Sequence, residues 1–577
     1  MARKRTIKKR SPKRQRAQQV QQVLRTFPLQ EAPPPQKFRF TATGADFGEA
    51  PLGVDPEPVF DEAARDQIQG NIIPGFRKDH QHFLFFKLGR KASAKKWLRE
   101  IAPQITPMDD ALAFVRSYRA MRDRLGSKDV PLKATWINIA FSYGAIAALV
   151  SQQDADAFGD QSFRQGLAER SGFLGDPTSR KVAGNPHSWV VGGPGKEADI
   201  LVIVAADDPL DLKVAVLKLK LSARKAGLEV LFEQHGEALP GPLRGHEHFG
   251  FKDGVSQPGI RGRTSTAATD FITPRYLNPA DDRAKLFARP GQPLIWPGEF
   301  LLGEQRQHTD NLYTPAPASN KFPSWAARGS YLVCRRLRQD VRAFWTFATA
   351  QAAALGLSPE RFASMLVGRW PSGAPVMRTP SADVPTLGAD ELANNHFLFD
   401  DDTRPSPLNP IPGYPGDLHP QAKADILGRV CPHFAHIRKV NPRDSVTDLG
   451  KTGDTLLRTV LRRGIAFGPA IIGVKNPSAA LWKKERGLMF LCYQASIEDQ
   501  FELLVRRWSN SSLQPNLGGH DPVIGQHEAY GNRERFIEFP NGGSSVRIPI
   551  NTEWVIPTGG GYFFSPPIGA IANVLGA

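Results

Sequence analysis

Four short apolar runs stand out along the chain, and each leads into a segment with helical spacing. HFLFFKL (82–88) reads as a strand and is followed by SAKKWLREIA (93–102). ADILVIVAA (198–206) reads as a strand, then acids, then a helical stretch reaching 223. GSYLVCRRL (329–337) repeats the first layout and runs into DVRAFWTFATAQAAALG (340–356), whose apolar residues recur at helical spacing. RGLMFLCYQASIEDQFELLVRRWS (486–509) repeats the second layout. Acids at the turns of the 198–223 and 486–509 units suit a helix N-terminus, where orphan amides and the helix dipole favour negative charge. The pattern predicts two α+β halves, each packing a sheet against helices. We place a basic tail and linker at 1–60, a first half at 61–245 and a second at 246–577. The linker ends in EAPPPQ and GVDPEP, and the tail is expected to be disordered. Two irregular stretches, 246–325 and 378–422, are rich in Gly, Pro and turns, and loops of such length inside compact domains are usually functional.

Composition adds bounds. With 577 residues, 41% apolar and 23% charged, the chain can form two or more domains and enclose a large cofactor. No apolar run approaches the roughly 18 residues of a membrane helix. Three cysteines, far apart and without a CxxC, argue against a disulfide framework or a zinc ribbon. With no apolar stretch behind the N-terminal arginines, a secretory signal is not expected, and a cytoplasmic location is. The net charge of +17 is unevenly placed: residues 1–16 hold nine basic groups and no acid, leaving 65 basic against 57 acidic residues elsewhere, or +8. Such a tail suits a polyanion or an acidic partner, if it is more than a solvated arm.

Three turn-rich segments carry candidate chemistry: HEHFGFKDGVSQP (246–258), CPHFAHIRKVNPRD (431–444) and TVLRRGIAFGP (459–469). His433 and His436 supply at most two zinc ligands, with no cysteine pair or HExxH beside them. There is no GxSxG elbow for a hydrolase. PTGGGYFF (557–564) lacks the lysine and following helix of a phosphate loop. Taken singly, His436 would read as an interior histidine and Arg462 as a surface charge. Together, a histidine, an aspartate and an arginine are what haem peroxidase chemistry needs: an imidazole to hold iron, an acid–base to move the peroxide proton, and a cation to stabilise charge as O–O breaks.

At these residues the sequence resembles the dye-decolorising peroxidases. Their GxxDG signature stands as Gly250 to Gly254, their proximal-histidine segment as CPHFAHIRKVNPR, and their distal-arginine segment as LRRGIAFGP. IQGNIIPGFRKDHQHFLFF, MLVGRWPSGAP and WVIPTGGGYFFSPP are similar too, so the resemblance spans roughly 65–577. It implies a pair of ferredoxin-like α+β domains forming a dimeric α+β barrel-like fold, with one haem b per chain held mainly by the second. It implies H2O2-dependent oxidation of organic donors such as dyes and phenolics through an oxoferryl intermediate. By match to the family pattern, Asp253 is the distal acid–base, His436 (not His433) the axial iron ligand, and Arg462 the distal arginine. Gly254, Val255, Ser256, Asn441, Pro442 and Arg443 match haem-lining positions. Glu498, with Asp499 as its rival, matches the carboxylate that accepts from the axial imidazole. An aspartate shuttle predicts an acidic pH optimum. Some members carry a tyrosine five residues after the distal arginine as a surface relay; here that position is Phe467, which cannot form a phenoxyl radical. The family pattern has no counterpart of the basic tail. The rival reading is a haem-binding or iron-delivery protein with little turnover, which would need only the axial ligand.

Overall fold

The computed structural model describes residues 20, 22–25, 57–126, 130–277, 282–401, 417–450, 452–526 and 534–577. In the first half, β1 (His80–Lys87) leads to helix α1 (Lys91–Ile101), followed by β2 (Thr135–Phe141), β3 (Ile200–Ala206), α2 (Pro209–Lys225) and β4 (Glu229–Glu237). The second half has β5 (Ser330–Gln339), α3 (Val341–Leu355), the short helix α4 (His436–Val440), β6 (Leu461–Arg462), β7 (Ile465–Phe467), β8 (Gly487–Gln494), the π-helix α5 (Ile497–Ser509) and β9 (Val555–Ser565). Each repeated strand–helix unit of the sequence is present. Of the acids expected to cap, Asp208 does so, accepting from Leu210 N at 2.8 Å; in the 486–509 unit the cap is instead Ser496, which accepts from Asp499 N at 3.1 Å.

The strands form one antiparallel sheet in the order β6-β8-β5-β9-β2-β3-β1-β4, with β7 also paired to β8. Numbered within its own half, each half reads 4-1-3-2, the ferredoxin-like order. Phe564 of β9 opposite Phe141 of β2 joins them. The two outer strands also approach each other: a Cβ added to Gly236 of β4 would stand 2.5 Å from Ile465 Cγ2 of β7. The sheet therefore curls toward closure. Its inner face is filled by Phe83, Phe85, Leu201 and Ile203 from the first half and Leu332, Met489, Leu491 and Phe563 from the second. Its outer face packs Leu84, Phe86 and Val202 under Trp97, Leu98 and Leu212 of the helices. Burial on both faces explains why these strands read as continuous apolar runs, not alternating ones.

The basic segment 1–16 lies outside the described residues. Within the stretch read as tail and linker, however, Val20, Val23 and Leu24 are buried in the core of the second half beside Ile471 and Ile472. Arg25 Nε donates to Lys475 O at 2.6 Å. The expectation of a disordered tail is corrected there. Val20, Val23 and Leu24 fall at i, i+3, i+4 and form one apolar helical face.

Candidate active site

The HEHFGFKDGVSQP segment is a tightly held turn. Gly250 and Gly254 have φ of +99° and +73°, a region that side chains disfavour, which accounts for the glycines flanking the motif. Asp253 N donates to Gly245 O at 2.9 Å, and Lys252 N to Pro371 O at 3.2 Å. Beneath the turn, the half-buried Glu247 carboxylate accepts from Phe249 N at 2.8 Å and Phe251 N at 2.9 Å, and also from the Gln339 amide. Burial pushes the Glu247 carboxyl up to about 7, against those three donors. We expect Glu247→Gln to strip at least one buried N–H of its acceptor, lowering stability by about 1–3 kcal/mol as read by thermal unfolding.

The turn presents Asp253 to Arg462. Asp253 Oδ1 accepts from Gly254 N at 2.6 Å and stands 3.5 Å from Arg462 Nη1. Arg462 Nη2 donates to Ser256 O at 2.8 Å, and Gln257 bonds the Arg462 backbone at 3.3 and 3.4 Å. Two charged side chains thus meet where solvent still reaches them: Asp253 is 40% and Arg462 31% exposed. Beside them, no atom lies within 4 Å of where a Gly254 Cβ would stand. Arg463 is different. Its guanidinium donates to Asn71 O, Ile72 O and Arg462 O, and burial lowers its pKa to about 9. Phe467, at the tyrosine-relay position, is buried under the Arg336 guanidinium at 4.3 Å.

His436 opens α4. Its Nδ1 lies 2.8 Å from Oδ2 of the fully buried Asp521. Asp521 Oδ1 accepts from Val523 N and Ile524 N, so one carboxylate oxygen is fixed by backbone and the other faces the imidazole. This arrangement puts the proton on Nδ1 and leaves Nε2 as a basic lone pair. His433 packs instead against Gly428 and Gly518, and burial pushes its pKa down to about 4.

The partner expected of the axial histidine is therefore corrected. Glu498 Oε1 accepts from Ser162 N at 3.2 Å, and Asp499 is paired with Arg458. Ser496 caps α5, and Ile497 N donates to Asp160 of the first half at 2.7 Å, which sets the start of α5 beside that half. The one sequence signal for Asp521 is its turn chemistry: an Asx side chain accepting from the amide two residues on, ahead of Pro522.

Residues 368–376 tie the two groups of site residues together. A Cβ at Gly368 would meet Ile437 of α4, and one at Gly373 would meet Lys252 and Val255 of the aspartate turn. Between them, buried Arg369 has its pKa lowered to about 10, first by burial and then by Arg462. Arg369 and Arg443 both bond Asn395, and Arg443 lies 3.7 Å over the Phe397 ring. Arg443 holds φ +56°, and Pro442 is buried beside half-buried Asn441. The structure thus gathers Asp253, Gly254, Val255, Ser256 and Arg462 at one wall, and His436 with the 441–443 turn at another, on one connected frame.

A carboxylate-oriented imidazole together with an arginine–carboxylate pair, set on a doubled ferredoxin-like sheet, defines a haem peroxidase arrangement. The comparisons agree. Residues 67–238 match the DyP dimeric alpha+beta barrel domain. The chain is 32% identical over 529 residues to the dye-decolorizing peroxidase msp1 of Mycetinis scorodonius, covering 88% of this chain and 87% of that protein. It is 32% identical over 546 residues to AauDyP1 of Auricularia auricula-judae, covering 91% and 90%. Among solved structures, an ancestral D-type dye decolorizing peroxidase superposes with TM-score 0.68 at 27% identity, over 89% of this chain and 99% of that one. The chain belongs to the dye-decolorising peroxidase family, and is thereby an oxidoreductase that uses peroxide as acceptor and carries haem. The residues present fit that group: an imidazole whose Nδ1 is taken up by Asp521 and whose side chain is 23% exposed, and open space beside Gly254 and the Arg462–Asp253 pair.

Proposed function

We propose that this chain is a peroxidase in which His436 Nε2 holds haem b, Asp253 moves the peroxide proton and Arg462 stabilises the charge set free. The reading is carried by one observation: the structure orients His436 through Asp521 and, separately, poises Asp253 against Arg462. Haem, when bound, supplies the redox-active iron that takes two oxidising equivalents from H2O2. Non-covalent haem b is favoured because the sequence has no CxxC and hence no CxxCH thioether attachment.

The roles follow from geometry. Asp521 keeps His436 as the Nδ1–H tautomer and raises the basicity of Nε2, which favours higher oxidation states of a bound metal. On the other wall, a carboxylate oxygen of Asp253 takes the proton from one peroxide oxygen and returns it to the other. The Arg462 guanidinium, aimed by Ser256 O, supplies fixed positive charge where the departing oxygen becomes negative. An iron-delivery protein would not need that second wall. H2O2 and small aromatic donors are the proposed substrates.

His436→Ala, purified alongside wild type, should lose most of its haem, while His433→Ala should keep it, as read from the Soret absorbance per protein. Equal loss in both, or loss in His433→Ala alone, contradicts the assignment.

A further inference from the structure

Away from the active site, β1 and β4 bring together a second set of chemistry-bearing side chains. In the antiparallel register, His80 lies opposite Glu237 and His82 opposite His235, so all four project from one face of the pair. His82 is already engaged: its Nε2 lies 3.0 Å from Glu233, which Lys220 also binds at 2.9 Å. His80, His235 and Glu237 are left, and their ligand atoms all lie within 4.8 Å of one another. Among the described residues they are the one such grouping of three His, Cys or carboxylate ligands.

We propose that His80, His235 and Glu237 form a cross-strand site for a divalent transition-metal ion of the zinc type. Zinc binds nitrogen and oxygen at about 2.0–2.2 Å, so neighbouring ligand atoms around a tetrahedral ion stand roughly 3.3–3.5 Å apart. Here His80 Nδ1 is 3.4 Å from Glu237 Oε1, and His235 Nε2 is 3.7 Å from Glu237 Oε2. Both separations lie near that spacing, one to each oxygen of the carboxylate. His80 Nδ1 is also a buried ring nitrogen that makes no hydrogen bond, although the Glu237 carboxylate faces it. A metal gives that nitrogen a partner without the cost of protonating two adjacent imidazoles. Two imidazoles and one carboxylate suit Zn2+, Cu2+ or Ni2+, whereas Mg2+ and Ca2+ favour all-oxygen shells. Water would complete the coordination, because His235 and Glu237 are about half exposed. Such an ion would staple β4, the outer strand of the first half, to β1.

The test uses the tag-free, haem-loaded full chain. Wild type, His235→Ala and Glu237→Gln are dialysed to equilibrium against Zn2+ and analysed for zinc and iron separately. Wild type should bind about one Zn2+ per chain more tightly, by at least ~10-fold, than either variant, since even outer-shell losses cost 10- to 100-fold. Zn2+ should raise the melting temperature of wild type and leave those of the variants unmoved. Both substitutions are at exposed positions, so unchanged haem content and peroxidase turnover will report intact folding. Equal zinc in all three proteins, or no zinc-dependent change in wild type, overturns the proposal.

Discussion

Asp253→Asn is expected to slow the reaction with H2O2 by roughly 100- to 10,000-fold while the protein keeps its haem. The substitution is conservative where the turn needs it. An asparagine oxygen can still accept from Gly254 N–H, and Asp253 N still donates to Gly245 O, so the chain path between Gly250 and Gly254 survives. What disappears is an oxygen basic enough to take a proton from peroxide. The turn itself is held from below by Glu247, through Phe249 N and Phe251 N, and from the side by Pro371 O. That scaffolding separates the two readings of the residue. If Asp253 served only to shape the turn, asparagine would serve nearly as well, and the rate would hold. Stopped-flow mixing of haem-loaded protein with H2O2 across pH 3 to 7, read at the Soret band, measures it. A wild-type rate throughout would leave the proton chemistry to Arg462 and solvent.

How much of this was legible in the sequence depends on the range of the interaction. The strands and helices around 82–102, 198–223, 329–356 and 486–509 were readable because burial on both faces and helical spacing are local patterns. The acid that caps at 208 was readable for the same reason, whereas Ser496, and not the acids after it, caps the matching helix of the second half. The sheet order was not, since it rests on one seam, Phe564 against Phe141, between residues more than 400 positions apart. Asp253, His436 and Arg462 were singled out through motif resemblance, not through periodicity. The partner of His436 was misread. Glu498 sits in a motif-rich segment, while Asp521 sits in an irregular loop whose position is set by Ser509 O and the 523–524 amides. A side chain that reaches across 85 residues leaves no spacing signal. Glu247 went unread for a related reason. Next to the GxxDG turn it reads as one more polar loop residue, and only its bonds to Phe249 N, Phe251 N and Gln339 show that it holds the turn.

Arg462→Leu should slow the same reaction about 100- to 1000-fold, the usual cost of removing a preorganised donor from developing negative charge. The neighbouring arginine cannot take over. Arg463, the residue just after β6, spends its donors on Asn71 O, Ile72 O and Arg462 O and so is held away from Asp253. Arg463→Leu should instead lower stability, because it leaves those carbonyls without their donors. Haem content should hold in Arg462→Leu, since His436 and Asp521 come from different segments. Arg462 and Asp253 stand 3.5 Å apart, so their contributions will not add. Removing the cation changes the field at the carboxylate, and removing the carboxylate leaves the guanidinium bonded to Ser256 O without its counter-charge. The double variant Asp253→Asn/Arg462→Leu should therefore be little slower than the slower single variant. Full multiplicativity in stopped flow would mean that the two side chains act on separate steps, and that their contact in the resting protein has no part in breaking the peroxide bond.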